Sequence, residues 1–434
     1  MHTHRAIVRA LLAIAGAASA AHAQSATPAV FVANEGNLEG SVTSFLVETD
    51  GTLAFVDRVI TGSRTSTSQP CAGCNTFAID ITPNGRFLAT SHASGSAAEN
   101  FTVYEVGTDA SLSVVDIITV PQGGLDLAWV RDDLLAVCIT DLSGSNELRL
   151  YNWDAVALEL TLADSDVSGS FLTSIAVHPS GRWIICNDSF ANTARVYEVV
   201  GDQASLNQTV GFGVFGVALA FSPDGNYAYA AGGISAGGNA FAGFSFDDSS
   251  GMLSELPGSP FTSPGASPKG FAFTPDGSVM FVSHGTDATI RSFAVDGDGI
   301  PTSLGASFDV GLQGTLQGMD TLDGRLFAMD DSTAIDGVSG AYSFDINQAT
   351  GVLTPVGGSP FTTQGISPND VVAWDPAAMC VPDFTGDGVL DFFDVSAFIN
   401  AYNAMDPAAD LTGDGVWDFF DVSAFVNAYN LGCP

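Results

Sequence analysis

Positive charge is what this 434-residue sequence has least of. Lys269 is its only lysine, and 12 Lys and Arg stand against 48 Asp and Glu. A surface this acidic repels phosphate backbones and anionic headgroups, which argues against nucleic acid and against direct electrostatic membrane binding. It attracts divalent cations or basic partners, or else serves only to keep the chain soluble in a salty medium. Long apolar runs are missing too. After the first residues no segment approaches the roughly 20 uninterrupted apolar residues of a transmembrane segment. Cysteine is sparse, with six in the chain. Cys71 and Cys74, in QPCAGCN, have CxxC spacing, which in a loop of an exported β-protein points to a small structural disulfide rather than redox chemistry. Cys138 and Cys186 fall in the apolar texts AVCIT and IICND and are expected as buried thiols.

The N-terminus is a targeting segment. Arg5 and Arg9 lead into the apolar run Ala10 to Ala18, and Ala21-His22-Ala23 has the small-x-small form of a signal-peptidase site. Residues 1–23 are therefore expected to be removed on export, giving an extracellular or cell-surface protein with ten cations against 48 anions, a formal charge of −38.

Length alone suggests about three domains, but internal repeats override that. FAFTPDGSVMFVSHGTDATIRSFAV, at Phe271 to Val295, reads as three strands around a Pro-Asp-Gly turn. Related turns stand at Pro83-Asn84-Gly85, Pro179-Ser180-Gly181, Pro223-Asp224-Gly225 and Leu322-Asp323-Gly324, with Arg131-Asp132-Asp133 a degenerate copy. Spacings of 44 to 52 residues, with several strands per unit, are the signature of propeller blades. Inner strands are predicted near Phe77 to Ile81, Leu125 to Val130, Thr173 to Val177, Gly216 to Phe221, Gly270 to Thr274 and Leu316 to Asp320. A seventh blade is split. Asp370 to Trp374 is an inner strand with no outer strands after it, whereas Ala29 to Asn34, Ser41 to Val47 and Thr52 to Ile60 are outer strands with no inner strand before them. Pairing the remnants closes a seven-bladed ring over residues 28–377 and leaves no open edge.

With GSPFTSPGASP at Gly258 to Pro268 and GSPFTTQGISP at Gly358 to Pro368, this pattern resembles the lactonase-like seven-bladed propellers related to 6-phosphogluconolactonase. The second-strand ends and the entries into the inner strands share one face around the channel mouth. There stand Glu35, His92 and His284, with Lys269 entering the blade that carries His284. Ring opening needs a His or carboxylate base and a cation for the developing oxyanion, so Glu35, His92, His284 and Lys269 are the catalytic candidates. The resemblance implies Glu, His and Arg groups in the cleft, and no arginine of this sequence matches that role. Polar residues at strand ends also solvate the rim of any propeller.

The most specific text is the C-terminal stretch, 380–434. Asp383, Thr385, Asp387, Asp391 and Asp394 occupy positions 1, 3, 5, 9 and 12 of a loop with Gly388 at 6 and the Val389 carbonyl at 7. That is the donor order of an EF-hand-like calcium loop. Asp410, Thr412, Asp414, Asp418 and Asp421, with Gly415 and the Val416 carbonyl, repeat it 27 residues later. Each loop runs into helical text, FFDVSAFINAYN and FFDVSAFVNAYN, whose apolar residues share one face. The duplicated loop and helix, with Asp at position 12, resemble a dockerin, and Gly432-Cys433 at the end resembles the GC-type dockerin-like anchor modules of bacterial surface proteins. The resemblance implies two Ca²⁺ ions and a cohesin-like or other envelope docking protein as partner. Cys380 and Cys433 are expected to clasp the module's ends. Dockerins carry small hydroxyl residues at loop positions 10 and 11, where this sequence has Phe392-Phe393 and Phe419-Phe420.

The sequence therefore reads as a mainly β protein, a seven-bladed propeller with a small α-helical calcium module. The expectation is a scaffold that binds an unnamed small molecule or protein at the propeller rim and is tethered by its tail. The alternative is an exported lactonase-like hydrolase that the tail only locates.

Overall fold

The computed structural model describes residues 27–375, apart from 94–98, 121–122, 141–145, 168–169, 212–215, 233–237, 311–315 and 332–339, and in the C-terminal stretch 382, 384–385, 390, 392–405, 409, 411 and 416–431. The signal-like segment, Cys380 and Cys433 lie outside the described residues.

The repeated turn shows why the blades form. In Thr274-Pro275-Asp276-Gly277 the Gly277 N–H donates to the Thr274 carbonyl at 2.8 Å. Thr274 Oγ1 donates to Asp276 Oδ1 at 2.7 Å, and Gly277 takes φ +69°, a left-handed conformation that costs glycine little. The Thr82–Gly85 and Ser222–Gly225 turns close the same way. Each turn reverses an inner strand into a second strand, and seven antiparallel sheets result.

Seven inner strands fall where the repeat predicts them: Thr76–Ile81, Gly123–Arg131, Leu172–Val177, Gly216–Phe221, Pro268–Phe273, Leu316–Leu322 and Pro368–Trp374. The last of these pairs antiparallel with Ala29–Asn34, Phe31 opposite Val372 and Val32 opposite Val371. This sheet, made from both ends of the domain, is the first blade below, and Thr76–Ile81 opens the second. One feature is absent from the sequence reading. Phe261–Thr262 of the first GSPFT text folds back onto Ala240–Asp247 as a fifth strand, and Phe361 bridges Ala341 in the second copy.

The core lies between blades rather than inside any one. Phe87 and Trp153, from the second and third blades, meet edge to face at 4.9 Å within an apolar cluster shared by those blades. Sandwiching buries each second strand on both faces: Phe87–His92, Leu134–Thr140, Trp183–Asp188 and Val279–His284 are buried along their whole length. Each large apolar side chain so enclosed contributes about 1.5–3 kcal/mol.

Polar staples complete the ring. Asp370 Oδ2 accepts the Ile79 N–H at 3.2 Å, Asp80 Oδ2 that of Trp129 at 2.7 Å, Asp126 Oδ2 that of Ile175 at 2.8 Å and Asp320 Oδ2 that of Ala373 at 2.8 Å. Between the fourth and fifth blades Ser174 Oγ does the same for Leu219 at 3.0 Å. An inner strand at the edge of its sheet has N–H groups with no strand partner on that side, and the preceding blade's short carboxylate supplies one.

Cys71 and Cys74 are joined by a disulfide, whereas Cys138 and Cys186 are buried thiols with sulfurs 3.8 Å apart across a blade interface.

The propeller occupies the compact unit Ser25–Ala377, and a second unit contains Ala378–Pro434. In the latter, helices Phe392–Ala404 and Phe419–Leu431 pack through Phe398 and Phe425, stacked at 4.1 Å. Phe384, Val395, Tyr402, Trp417, Val422 and Tyr429 surround them. No helix among the described residues is long and apolar enough to cross a membrane.

Candidate functional site

Three consecutive blades build the best-furnished part of the rim. Glu35 follows the strand Ala29–Asn34 of the first blade, Lys269 lies in the inner strand Pro268–Phe273 of the sixth, and Asp331 follows Arg325–Asp330 of the seventh. The backbone positions Glu35 by donating its N–H to the Ser367 carbonyl at 2.7 Å. Gly285, the equivalent residue of the sixth blade, donates to Ser267 at 2.9 Å. Its lack of a side chain decides where Lys269 goes, since a Cβ at 285 would lie 2.9 Å from both Lys269 Cγ and Cε. The lysine stem therefore crosses the glycine.

Asp331 and Lys269 both act on Glu35. Burial first, then the neighbouring negative charge of Asp331, push the Glu35 carboxyl up to about 7, and the Lys269 ammonium partly opposes them. A carboxyl near neutrality can take a proton and return it within one cycle, and a nearby ammonium can stabilise an oxyanion.

His92 and His284 do not join this group, and the reason is the burial of the second strands that carry them. Both rings are inaccessible. His284 Nδ1 donates to the Thr289 carbonyl at 3.1 Å while Nε2 accepts from Ser263 Oγ at 2.7 Å, and Gly265 lies against the ring. His92 is enclosed by Thr76, Thr90 and Thr102 hydroxyls at 3.2 to 3.4 Å. Burial pushes His284 down to about 4 and His92 down to about 3. Both are neutral structural histidines at physiological pH, so of the four sequence candidates only Glu35 and Lys269 come together.

Sequence reasoning missed the influence of Asp331 on Glu35 and the aspartates of the channel wall. Burial pushes Asp80 and Asp370 up to about 7, Asp126 to about 8 and Asp320 to about 6, and their mutual repulsion adds to it for all but Asp320. The available signal was a single Asp inside four of the seven inner-strand texts, as in TFAIDI.

A histidine, serine and aspartate also meet at the turn after the fourth inner strand. His178 Nδ1 lies 2.7 Å from Ser180 Oγ, which is 3.3 Å from Asp248 Oδ1. Serine and aspartate face the same ring nitrogen, while Nε2 is pressed against Gly225, where a Cβ would sit 2.2 Å away. A relay needs them on opposite nitrogens, so the trio is a turn brace.

In the tail, Asp394 and Asp421 are buried. Asp394 Oδ1 accepts the Thr385 N–H at 3.0 Å and its hydroxyl at 2.9 Å, and Asp421 Oδ2 accepts the Asp418 N–H at 2.9 Å. Val416 is half exposed. The remaining loop positions, Asp383, Asp387, Val389, Asp391, Asp410, Thr412 and Asp414, lie outside the described residues. Phe392, Phe393, Phe419 and Phe420 are exposed and leave the module core to the later aromatics of each helix.

The comparisons agree with this architecture. Residues 213–316 match the family described as lactonase, 7-bladed beta-propeller. A putative 6-phosphogluconolactonase from Bacteroides uniformis is similar at 16% identity and a TM-score of 0.65, covering 80% of this chain and 100% of its own. One from Bacteroides fragilis is similar at 16% identity and 0.63, covering 81% and 98%. The Pseudomonas aeruginosa periplasmic gluconolactonase PpgL follows at 17% identity and 0.59, covering 80% and 98%. No curated protein sequence matches the chain. The fold is thus a lactonase-like seven-bladed β-propeller with 6-phosphogluconolactonase-type structural neighbours.

Proposed function

We propose that the propeller is a lactone hydrolase acting through Glu35 and Lys269. The observation that carries this reading is a partly buried carboxyl held near neutrality beside the only lysine of the chain. The Glu35 carboxylate takes a proton from water as its oxygen attacks the lactone carbonyl, and the Lys269 ammonium stabilises the tetrahedral oxyanion. The ring C–O bond then breaks, the leaving oxygen takes the proton back from Glu35, and the product acid releases a proton to solvent. The names of the neighbours, two putative 6-phosphogluconolactonases and a gluconolactonase, support a sugar lactone as substrate. Purified full-length protein should open aldonolactones above the spontaneous rate, and Glu35→Gln should abolish the excess. A panel of lactones showing no excess rate would end the reading.

Partner binding at the rim has its own support in Phe190, which follows the second strand Trp183–Asp188 as Glu35 follows Ala29–Asn34 and is exposed and stacked on Phe171 at 4.4 Å. An aromatic stack of that kind is suited to a ligand ring.

The tail, in this reading, attaches an exported protein to a cohesin-like or other envelope docking protein. Asp383, Thr385, Asp387, the Val389 carbonyl, Asp391 and Asp394 would hold one Ca²⁺, and Asp410, Thr412, Asp414, the Val416 carbonyl, Asp418 and Asp421 a second. The ions would supply the positive centres around which these acidic loops turn. The exposed phenylalanine pairs support an apolar docking contact.

A further inference from the structure

We infer that the site admits uncharged lactones and rejects their phosphate esters, with Asp331 as the discriminating residue. The inference rests on the hydrolase reading above.

Little positive charge is free to receive a phosphate. A phosphate ester carries about −1.5 to −2 at neutral pH and is held in proteins by arginine forks, lysines or clustered backbone N–H groups. Nine arginines follow the N-terminal segment. Seven of them hold a carboxylate: Arg58, Arg86, Arg131, Arg149, Arg182, Arg195 and Arg325. Arg64 donates to the carbonyls of Asn37 and Gln69, and Arg291, in the third strand Thr289–Val295 of the sixth blade, keeps its Nε buried. The stretches outside the described residues between 94 and 339 contain neither lysine nor arginine, so no further cation can come from them. Lys269 is left to act against two carboxylates, Glu35 and Asp331. Further along the inner strands the channel wall adds Asp80, Asp126, Asp320 and Asp370.

The same field suits a neutral substrate. Hydrolysis turns an uncharged lactone into a carboxylate, so product forms where anions are repelled and release is assisted. A phosphorylated lactone meets that repulsion on entry.

The test compares initial rates of acid release from glucono-1,5-lactone and its 6-phosphate ester at equal concentration, corrected for spontaneous opening, for the full chain and for Asp331→Asn. The expected kcat/KM is at least about ten-fold higher for the neutral lactone, an effect between that of a like-charge contact in bulk water and one near a protein surface. Asp331→Asn should narrow that ratio, and added salt should raise the rate on the ester selectively. Equal or faster turnover of the ester overturns the inference and leaves the hydrolase reading standing. A ratio unchanged in Asp331→Asn overturns the role of Asp331. Turnover of neither lactone overturns the hydrolase reading and this inference with it.

Discussion

Asp126 Oδ2 accepts the backbone N–H of Ile175 at 2.8 Å, so a side chain of the third blade holds the main chain of the fourth. The bond recurs around the ring with Asp80, Asp320 and Asp370. Removing the acceptor leaves a channel-facing N–H without its partner. Asp126→Ala should therefore destabilise the propeller by about 1–3 kcal/mol, read as a lower midpoint in denaturant titration. An unchanged midpoint would mean that water replaces the staple at no cost.

The charge on these staples acts in the opposite direction to their hydrogen bonds. Their folded values, about 6 to 8, lie above the roughly 3.9 of an unfolded aspartate. The folded state therefore binds more protons between those limits, and stability must fall as pH rises from about 4 until the last staple has ionised near 8. Turn aspartates such as Asp224 and Asp276 are shifted down, and their contribution is lost only as pH falls below about 4. Thermal unfolding should show a maximum at about pH 4, with stability falling on both sides. Asp126→Asn keeps an acceptor and removes the charge, so it should flatten the alkaline side, and a wild-type Tm that rises from pH 6 to 8.5 would contradict the assignment.

Gly285 is expected to set the position of Lys269. Because a Cβ there meets the flexible lysine stem rather than backbone, Gly285→Ala should displace the ammonium with little loss of stability. Lactone kcat/KM should fall about ten-fold with Tm nearly constant. A wild-type rate in this variant would separate Lys269 from the chemistry.

The buried thiols make a different statement. Cys138 and Cys186 are inaccessible, so neither should react with iodoacetamide in the native protein, and both should react after unfolding without reductant. Peptide mapping that finds them alkylated in the native state would contradict the packing of the third and fourth blades.

Much of this was legible in the sequence, and the failures share a cause. The turn texts predicted six inner strands, and the unpaired remnants at Asp370–Trp374 and Ala29–Asn34 predicted the seventh and the closing blade, because turn chemistry and edge pairing are local rules. His92 and His284 do end their second strands, but a polar letter at a strand end looks like a rim residue whether or not the ring is covered. Only the sandwiching of neighbouring blades, a long-range fact, buries them. The staple aspartates escape sequence reading for the same reason, since their partners lie 49 to 53 residues away along the chain, or across the ring closure. In the tail, the spacing of Phe392 and Phe419 with the later aromatics predicted one apolar face, whereas the structure leaves both exposed at the helix starts.

The tail account is checked by calorimetry on the full chain. Two Ca²⁺ ions should bind, Asp394→Ala and Asp421→Ala should each remove one, and chelator should lower the helical signal of the module. Heat changes no larger than dilution would contradict the loop assignment.

The central claim is that Glu35 works as a near-neutral base at the rim, and the pH dependence of kcat/KM on an uncharged aldonolactone tests it most directly. The base is active when ionised, so the rate above spontaneous opening should rise through an apparent value of about 7, and Glu35→Gln should abolish it. A rate that is flat from pH 5 to 9, or that survives Glu35→Gln, would contradict the account.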